Sequence, residues 1–290
     1  MAGKFSRFYK FCVRVARVPV GAVTRRHWEG QENLPKEDGF VAVVNHISEF
    51  DSMTLMHFMT SAGYPVRVLC KEELFKVPIL GSIMRSTGQI PVYRESTHSR
   101  DALAAAIEGL QAGECITVYG EGTLTRDPDF WPMRMKTGAA RMALRARVPL
   151  VPVVQWGAQD VLDRYGRRPN LKGKKDVWVK ALPEVDLSDL YDRAEEPEVW
   201  YQATERIEEA ICRGVEEIRG TKMPHRPLDR KSARMPSKKQ LGIAAKAWRA
   251  DHPGKLVTAR SLGELDPYLA AASNAADPAT QEDNLSLIHI

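Results

Sequence analysis

The sequence predicts an α/β fold in which a mixed, largely parallel sheet is flanked by helices and preceded by a basic amphipathic helix at the N-terminus. Apolar runs rich in β-branched residues predict strands near residues 41–45, 65–70, 89–94, 114–119, 148–154 and 177–182. Helical segments alternate with these strands, and the longest, 198–219, ends at Gly220. Strands and helices that alternate at these intervals indicate a mainly parallel sheet with helices on its faces.

Length and charge divide the chain of 290 residues into a globular middle and two basic ends. A hydrophobic content of 43% is ordinary for a globular protein and allows a sizeable core. The net charge is +6 over residues 1–30, −5 over 31–220 and +4 over 221–290. We therefore predict a membrane-contacting segment at 1–24, a folded domain at 25–220 and a mostly disordered basic tail at 221–290. Residues 285–290 look like the translation of a sequencing adapter.

The first residues predict an amphipathic helix that lies in the headgroup layer of a membrane. Its cations recur every three or four residues, at Arg7, Lys10, Arg14 and Arg17. A helix places a set of apolar residues on another side, namely Phe8, Phe11, Cys12, Val15 and Val18. Pro19 is expected to end or kink this helix. The alternative is a helix that docks its apolar side on the domain, but the clustered cations and the absence of acids favour a membrane.

A histidine and an aspartate stand where the first predicted strand gives way to a helix. The apolar run that starts at Phe40 ends at Asn45 and His46, and Asp51 precedes a helix-like segment. A turn between the two elements can fold Asp51 back onto His46, and the helix dipole favours the ionised carboxylate. Asp51 would then hold one ring nitrogen as N–H and leave the other to take a proton from a substrate hydroxyl. The alternative is a helix N-cap beside a structural histidine.

Two further features are candidate ligand-binding elements. Gly120 and Gly122 flank Glu121 at a strand end, where glycines permit close approach of the backbone to an anion. A tight turn is the simpler alternative, and the absence of a following Lys-Ser/Thr pair excludes a nucleotide P-loop. Arg85 and Arg94 are candidate phosphate ligands because a guanidinium matches phosphate oxygens, although most arginines are merely solvated.

The cysteines and the hydropathy pattern indicate where the protein works. Four scattered cysteines without a CxxC spacing, Cys12, Cys70, Cys115 and Cys212, predict reduced thiols rather than a disulfide or zinc framework. No apolar run approaches the ~20 residues that a bilayer-spanning helix needs, and no secretory signal is visible. We therefore expect a peripheral protein at the cytoplasmic face of the cell membrane, without a transmembrane helix.

Four stretches occur in a fixed order along the middle of the chain. They are residues 45–51, 71–81 with 90–94, 121–123 and 148–153. Together they resemble the NHxSxxD block, the arginine-ended second block, the EGTR block and the proline-containing fourth block of the glycerolipid acyltransferase family, which includes 1-acylglycerol-3-phosphate acyltransferases. Residues 136–140 resemble the lysine–glycine stretch between the third and fourth blocks. The resemblance covers about residues 25–215.

The resemblance implies a role for each matching residue. His46 is implied to be the general base and Asp51 its orienting partner. The acceptor, a glycerol phosphate, is implied to contact Arg94, Glu121, Gly122, Thr123 and Lys136. The fourth block is implied to shape the acyl-donor side. Because like charges repel, Glu121 is expected to accept a hydroxyl hydrogen bond or to pair with Arg94 rather than touch the phosphate.

The chain departs from the family pattern at two positions. Gly120 stands where the family usually has proline, and Leu124 replaces the arginine of the EGTR block. The second departure removes a phosphate contact and leaves the head group of the acceptor open. Arg126, two residues further on, is a candidate substitute.

The resemblance implies transfer of an acyl chain from a thioester to a hydroxyl of lysophosphatidic acid, which yields phosphatidic acid in phospholipid biosynthesis. The implied partners are acyl-coenzyme A or acyl carrier protein, a lyso-phospholipid and an anionic membrane surface. No metal, bound cofactor or covalent enzyme intermediate is required. Alternatives are another lyso-lipid or polyol acceptor and a catalytically silent membrane-surface scaffold. Nucleic-acid binding is not expected, because the basic tail has only the isolated aromatics Trp248 and Tyr268.

Overall fold

Strands and helices alternate through the computed structural model, which describes residues 5–92, 99–164, 166, 168–229, 238–253 and 267–269. The strands are β1 (Thr24–Glu29), β2 (Phe40–Val44), β3 (Val66–Lys71), β4 (Ile90–Val92), β5 (Cys115–Tyr119), β6 (Leu150–Trp156) and β7 (Lys175–Ala181). The helices are α1 (Arg7–Val23), α2 (Asp51–Ser61), α3 (Glu73–Lys76), α4 (Leu80–Ser86), α5 (Ser99–Gln111), α6 (Gly138–Ala146), α7 (Ala158–Val161), α8 (Pro197–Arg219) and α9 (Lys238–Asp251).

Within the described residues, seven strands form one sheet in the order β1, β7, β6, β2, β5, β3, β4. Strand β2 pairs in parallel with β5 and β6, and β3 pairs in parallel with β4 and β5. At the other edge β7 runs antiparallel to β6 and parallel to β1. The predicted mixed, largely parallel sheet flanked by helices is therefore confirmed. Strand β1 was not predicted, because its sequence is mostly polar and it lies at an edge.

The core lies on both faces of the central strand β2, whose five residues are all buried. Val41 and Val43 pack in a cluster with residues of α5, α6 and α8. Phe40, Ala42 and Val44 pack on the opposite face with residues of α2. Strands β2, β3, β5 and β6 run in the same direction, so the loops that follow them meet at the carboxyl ends of these strands. Ligands of open α/β sheets commonly bind at this end.

Helix α1 docks on the domain through one of its faces. Tyr9, Val13 and Val20 are buried, and the Tyr9 hydroxyl accepts the N–H of Val66 at 2.8 Å and donates to its carbonyl at 3.1 Å. The helix does not end at Pro19 as one of our expectations had it, but continues to Val23. Within the described residues, no helix combines the length and the apolar character needed to cross a bilayer.

The segment after the domain contains helix α9, so the expectation of disorder is wrong for residues 238–251. The physical reason is an apolar stripe at helical spacing, in which Leu241, Ala244, Ala245 and Trp248 are all buried. Trp248 therefore belongs to a packed face and is not an isolated aromatic. The proposed adapter sequence at 285–290 lies outside the described residues.

Candidate active site

The loop between β2 and α2 brings the predicted histidine and aspartate together. His46 Nδ1 lies 2.9 Å from Asp51 Oδ2. The same oxygen accepts the backbone N–H groups of Ile47, at 2.6 Å, and Ser48, at 2.9 Å. An oxygen that accepts three hydrogen bonds carries no proton, so Nδ1 is the donor to Asp51 and Nε2 is the ring nitrogen that faces away from the carboxylate. The predicted contact is present, and its catalytic role stays a prediction.

Burial and hydrogen bonds have opposite effects on the pKa of the Asp51 carboxyl. The side chain is fully buried at the first residue of α2. Burial raises the pKa of its carboxyl, and the hydrogen bonds from His46, Ser48 and Ile47 oppose that rise. Ser48 also fixes the loop from its other side, because its hydroxyl donates to the carbonyl of Leu162 at 2.6 Å. The loop therefore holds the His46 ring in one orientation.

The backbone of His46 is held by the loop that follows β5. The N–H of His46 donates to Glu121 Oε1 at 3.1 Å, and the N–H of Thr125 donates to the His46 carbonyl at 2.7 Å. Glu121 Oε2 accepts the N–H of Met133 at 3.1 Å. The Glu121 side chain is buried and is not among the residues that line the pocket described below. The expected direct contact of Glu121 with the acceptor is therefore corrected, since both of its oxygens bind backbone groups.

Burial of Glu121 predicts a pH-dependent stability. Burial raises the pKa of this carboxyl to about 8, above its ordinary value of about 4.3. The folded protein then holds a proton that the unfolded chain has lost, so the free energy of unfolding falls as pH rises through this window.

The expected result is a difference in unfolding free energy between wild type and Glu121→Gln that decreases by up to about 1.4 kcal/mol per pH unit between about pH 5 and pH 8. Denaturant titrations at several pH values measure this difference, and the glutamine variant removes the titration while it keeps the shape of the side chain. A difference that does not change across the window would contradict the raised pKa.

Contacts between separate elements complete the site and were not predicted. The Tyr119 ring stacks on the His46 ring with centroids 3.9 Å apart and planes at 20°. Its hydroxyl lies 3.1 Å from Ser52 Oγ. The Asn45 amide donates to the Gln155 carbonyl at 3.0 Å and accepts the Gln155 N–H at 2.9 Å, which joins the ends of β2 and β6. Each of these pairs joins two separate elements, so sequence spacing contains no signal for it.

A pocket of about 300 Å³ opens beside the His46 ring. Its polar lining includes His46, Lys71, Thr123 and Lys136. The remainder is mainly apolar and includes Val68, Leu69, Leu103, Val118, Ala139 and Met142. The polar lining also includes Glu49, and a cavity that combines charged and apolar side chains suits an amphipathic substrate.

Known proteins resemble this chain in sequence and in fold. A family model described as Acyltransferase matches residues 25–156. The 1-acyl-sn-glycerol-3-phosphate acyltransferase of Bacillus subtilis is 27% identical over 183 residues, which are 63% of this chain and 86% of that protein. The chloroplastic enzyme BAT2 of Brassica napus, with the same activity in its name, is 29% identical over 159 residues, which are 54% of this chain and 44% of that protein.

A solved structure of an acyltransferase is also similar to this chain. The crystal structure of PlsC, the 1-acyl-sn-glycerophosphate acyltransferase of Thermotoga maritima, matches with a TM-score of 0.58 and 26% identity, over 74% of this chain and 82% of that chain. Residues 25–156 therefore match the acyltransferase family, and the fold of the chain agrees with that match. The matched range includes His46, Asp51 and the 121–123 stretch, so the match rests on the part of the fold that builds the site.

The two departures of this acyltransferase from the family pattern have local explanations. The N–H of Gly120 donates to the Val44 carbonyl at 3.1 Å, a bond that proline cannot make. A Cβ at this position would lie 2.5 Å from Met135 Sδ, so the methionine occupies the space of a larger residue. Leu124 is buried and lines the pocket, where it adds hydrocarbon instead of a cation.

The Lys136 side chain occupies space that a side chain at position 122 would need. Gly122 has a φ of +67°, a conformation that favours glycine. A Cβ here would lie 2.9 Å from Lys136 Cε and 3.2 Å from its Nζ. The absence of a side chain therefore lets the lysine lie across the loop. Both residues line the pocket with Thr123, and their predicted contact with the acceptor stays a prediction.

The arginines considered as phosphate ligands do not all reach the pocket. Arg94 lies outside the described residues, so its predicted role stays a prediction. Arg85 donates to the Phe75 carbonyl at 2.7 Å. Neither Arg85 nor Arg126 is among the described residues that line the pocket. The cations of the described lining are Lys71 and Lys136, of which the sequence identified only Lys136.

One cysteine lines the pocket. Burial raises the pKa of the Cys70 thiol to about 12, so this thiol is protonated at neutral pH. A thiol is nucleophilic only as the thiolate, which makes Cys70 a poor candidate for an acyl-enzyme intermediate. Cys115 and Cys212 have pKa values raised to about 12 by the same cause.

Proposed function

We propose that this acyltransferase moves an acyl chain from a thioester of coenzyme A or acyl carrier protein to the free hydroxyl of 1-acylglycerol-3-phosphate, which forms phosphatidic acid in phospholipid biosynthesis. The observation that carries the proposal is the His46 ring, held by Asp51 and placed on the wall of a largely apolar pocket with two lysines. The relatives named above for this reaction support the same acceptor.

The reaction that we propose needs one base and no covalent enzyme intermediate. His46 Nε2 takes the proton of the acceptor hydroxyl as its oxygen attacks the thioester carbonyl. The C–S bond then breaks, and the leaving sulfur takes the proton from the imidazolium. Asp51 Oδ2 accepts from Nδ1 throughout and stabilises the positive ring that forms between the two steps. Neither a metal nor a bound cofactor has a role in these steps.

The acceptor contacts that we propose are electrostatic. Lys136 crosses the loop at Gly122, and Lys71 lies on the pocket wall at the end of β3. Both side chains can meet a phosphate as point charges. Arg94 remains a proposed third contact, and Gly122 and Thr123 are proposed to offer backbone and hydroxyl donors to the acceptor.

A second candidate function is acylation of a lyso-lipid or polyol without a phosphate. The observation that favours it is Leu124, which is buried at the pocket wall where the family has arginine. The two candidates share the chemistry of His46 and differ only in the head group of the acceptor.

The test measures thiol release from acyl-coenzyme A with lysophosphatidic acid, monoacylglycerol and other lyso-lipids as acceptors. Lys136→Ala is expected to raise KM for lysophosphatidic acid by about 10-fold or more, because a charged hydrogen bond to phosphate is lost, and to change KM for monoacylglycerol little. Lys174→Ala, at an exposed lysine, is the matched control. An equal effect on both acceptors would contradict the phosphate contact, and preferred turnover of an acceptor without phosphate would favour the second candidate.

We infer that the enzyme contacts an anionic membrane at its cytoplasmic face through α1. The four apolar residues on the outer side of the helix have large exposed fractions, with Phe8 at 43%, Phe11 at 60%, Val15 at 56% and Val18 at 72%. Arg7, Lys10 and Arg14 are exposed beside them. The alternative of a helix docked on the domain holds for the face of Tyr9, Val13 and Val20, whereas Phe8, Phe11, Val15 and Val18 are exposed. An exposed apolar ridge flanked by cations suits the headgroup layer.

The double variant Phe11→Ser, Val18→Ser is expected to weaken binding to anionic vesicles by at least about 10-fold, because it removes apolar area that a membrane would bury. Vesicle flotation measures the loss. Substitutions are preferable to deletion of α1, which would also remove Tyr9 and Val20 from the core.

The matched control for this variant is Leu171→Ser, Tyr201→Ser, at residues that are 66% and 63% exposed outside α1. Unchanged flotation of the α1 variant, or an equal loss in the control, would contradict the membrane contact.

A further inference from the structure

Helix α9 packs directly behind the loop that carries His46. It lies outside the range of the family match, which ends at residue 156. Trp248 is 2% exposed and belongs to a buried cluster with Ile47, Phe130 and Ala245. Neither Trp248 nor Ile47 is among the described residues that line the pocket, so this cluster lies outside the pocket lining.

The cluster that contains Trp248 also contains Ile47, whose N–H donates to Asp51. Ile47 follows His46, its side chain is buried, and its N–H makes the shortest of the three hydrogen bonds to Asp51 Oδ2, at 2.6 Å. A displacement of Ile47 would move that N–H and the His46 backbone together. The packed cluster that contains Trp248 therefore limits movement of the Ile47 N–H and of the His46 backbone.

A second contact of α9 reaches the same loops by another route. Arg249 lies 2.6 Å from Asp163, whose side chain is 3% exposed. The two neighbours of Asp163 in the chain bind two different loops. The Leu162 carbonyl accepts the Ser48 hydroxyl in the loop between β2 and α2, and Arg164 donates to two carbonyls in the loop after β5. These carbonyls belong to Thr125 and Asp127, each 2.7 Å from the Arg164 guanidinium.

We infer that α9 is a positioning element for the acyl transfer and that Trp248 and Arg249 are its positioning residues. The helix does not touch the substrate pocket through either residue. It fixes the loop of His46 from behind and, through residues 162–164, couples that loop to the one that holds the His46 backbone. The kinetic part of this inference rests on the proposed function, and the structural part does not.

The experiment compares full-length Trp248→Ala, Trp248→Phe and Ile243→Ala. Ile243 is 36% exposed on the same helix, so its variant controls for a change in α9 that does not reach the loop. Trp248→Ala is expected to lower kcat on the order of 10-fold or more at an unchanged KM, because a small displacement of the base costs rate and not binding. Trp248→Phe, which keeps an aromatic ring behind Ile47, is expected to restore most of kcat.

Amide hydrogen exchange gives a readout that needs no substrate. In Trp248→Ala the segment 45–51 is expected to exchange at least about 10-fold faster, while strands β5 and β6 keep their protection. Ile243→Ala is expected to leave the segment unchanged. If wild type shows no acylation of lysophosphatidic acid, the proposed function fails, and the exchange data still decide the role of α9.

Two results would overturn the inference. In the first, exchange increases only within α9 and kcat is unchanged. In the second, exchange increases equally over the whole chain and kcat falls only with the folded fraction, which indicates a general effect on stability. Arg249→Gln breaks the second contact without opening a cavity in the core, so it tests the same expectation if Trp248→Ala does not fold.

Discussion

Replacing His46 with alanine is expected to lower thioester-dependent acylation by at least about 10³-fold and to leave the fold intact. The ring supplies the only described imidazole of the pocket lining, and its Nε2 has no described hydrogen-bond partner that would prevent it from acting as a base. Its side chain lines the pocket, so truncation enlarges the pocket, and Ile47 and Ser48 still donate to Asp51. Thiol release measures the rate, and thermal unfolding measures the fold.

His27→Ala is the matched control for this substitution. His27 also pairs with a carboxylate, since its Nε2 lies 2.8 Å from Asp176, but it is exposed on β1 and distant from the loop of His46. The control variant is expected to keep nearly the wild-type rate. Retained turnover in His46→Ala, with a folded protein, would end the proposed mechanism.

Asp51→Asn is expected to lower mainly kcat, whereas Asp51→Ala is expected to lower the free energy of unfolding strongly as well. Asparagine keeps a carbonyl oxygen that can accept from His46, Ile47 and Ser48, but it cannot stabilise the imidazolium by charge. We expect kcat to fall by about 10²–10⁴-fold with a modest loss of stability. Alanine leaves three buried donors without their acceptor, which costs about 1–3 kcal/mol for each donor and lowers the free energy of unfolding strongly.

Steady-state kinetics and denaturant unfolding of both variants measure these effects. Asp192→Asn is the matched control for loss of a carboxylate charge, since the Asp192 side chain is 93% exposed. A folded Asp51→Asn enzyme with wild-type kcat would show that the carboxylate does not stabilise the charged ring. Wild-type stability of Asp51→Ala would show that other acceptors replace its oxygen.

Much of the fold follows from local patterns in the sequence. The apolar runs of β2, β5 and β6 and the helical spacing of α8 predict their elements because each pattern lies within one element. The contact of His46 with Asp51 could also be expected, since five residues separate them across one strand–helix turn. The ordered blocks then identified the family, which the comparisons confirm.

Other features depend on partners that are distant in the chain. The strand β1 has a polar sequence and becomes a strand because it pairs with β7, about 150 residues away. Glu121 binds the backbone of His46, a contact across 75 residues that turned an expected acceptor ligand into a support of the loop. The stripe of α9 is visible in the sequence, but prolines and charges around it favoured disorder.

By itself the sequence determined the α/β class, the family and the residues of the central pair, because strand and helix periods, turns and short motifs are all encoded over a few residues. Only the tertiary structure decided which groups surround that pair: the Tyr119 ring over the imidazole, the buried Glu121 beneath its backbone and Trp248 behind Ile47. These contacts depend on the order of strands in the sheet and on burial. Both depend on residues that are distant in the chain, so a short stretch of sequence does not determine them.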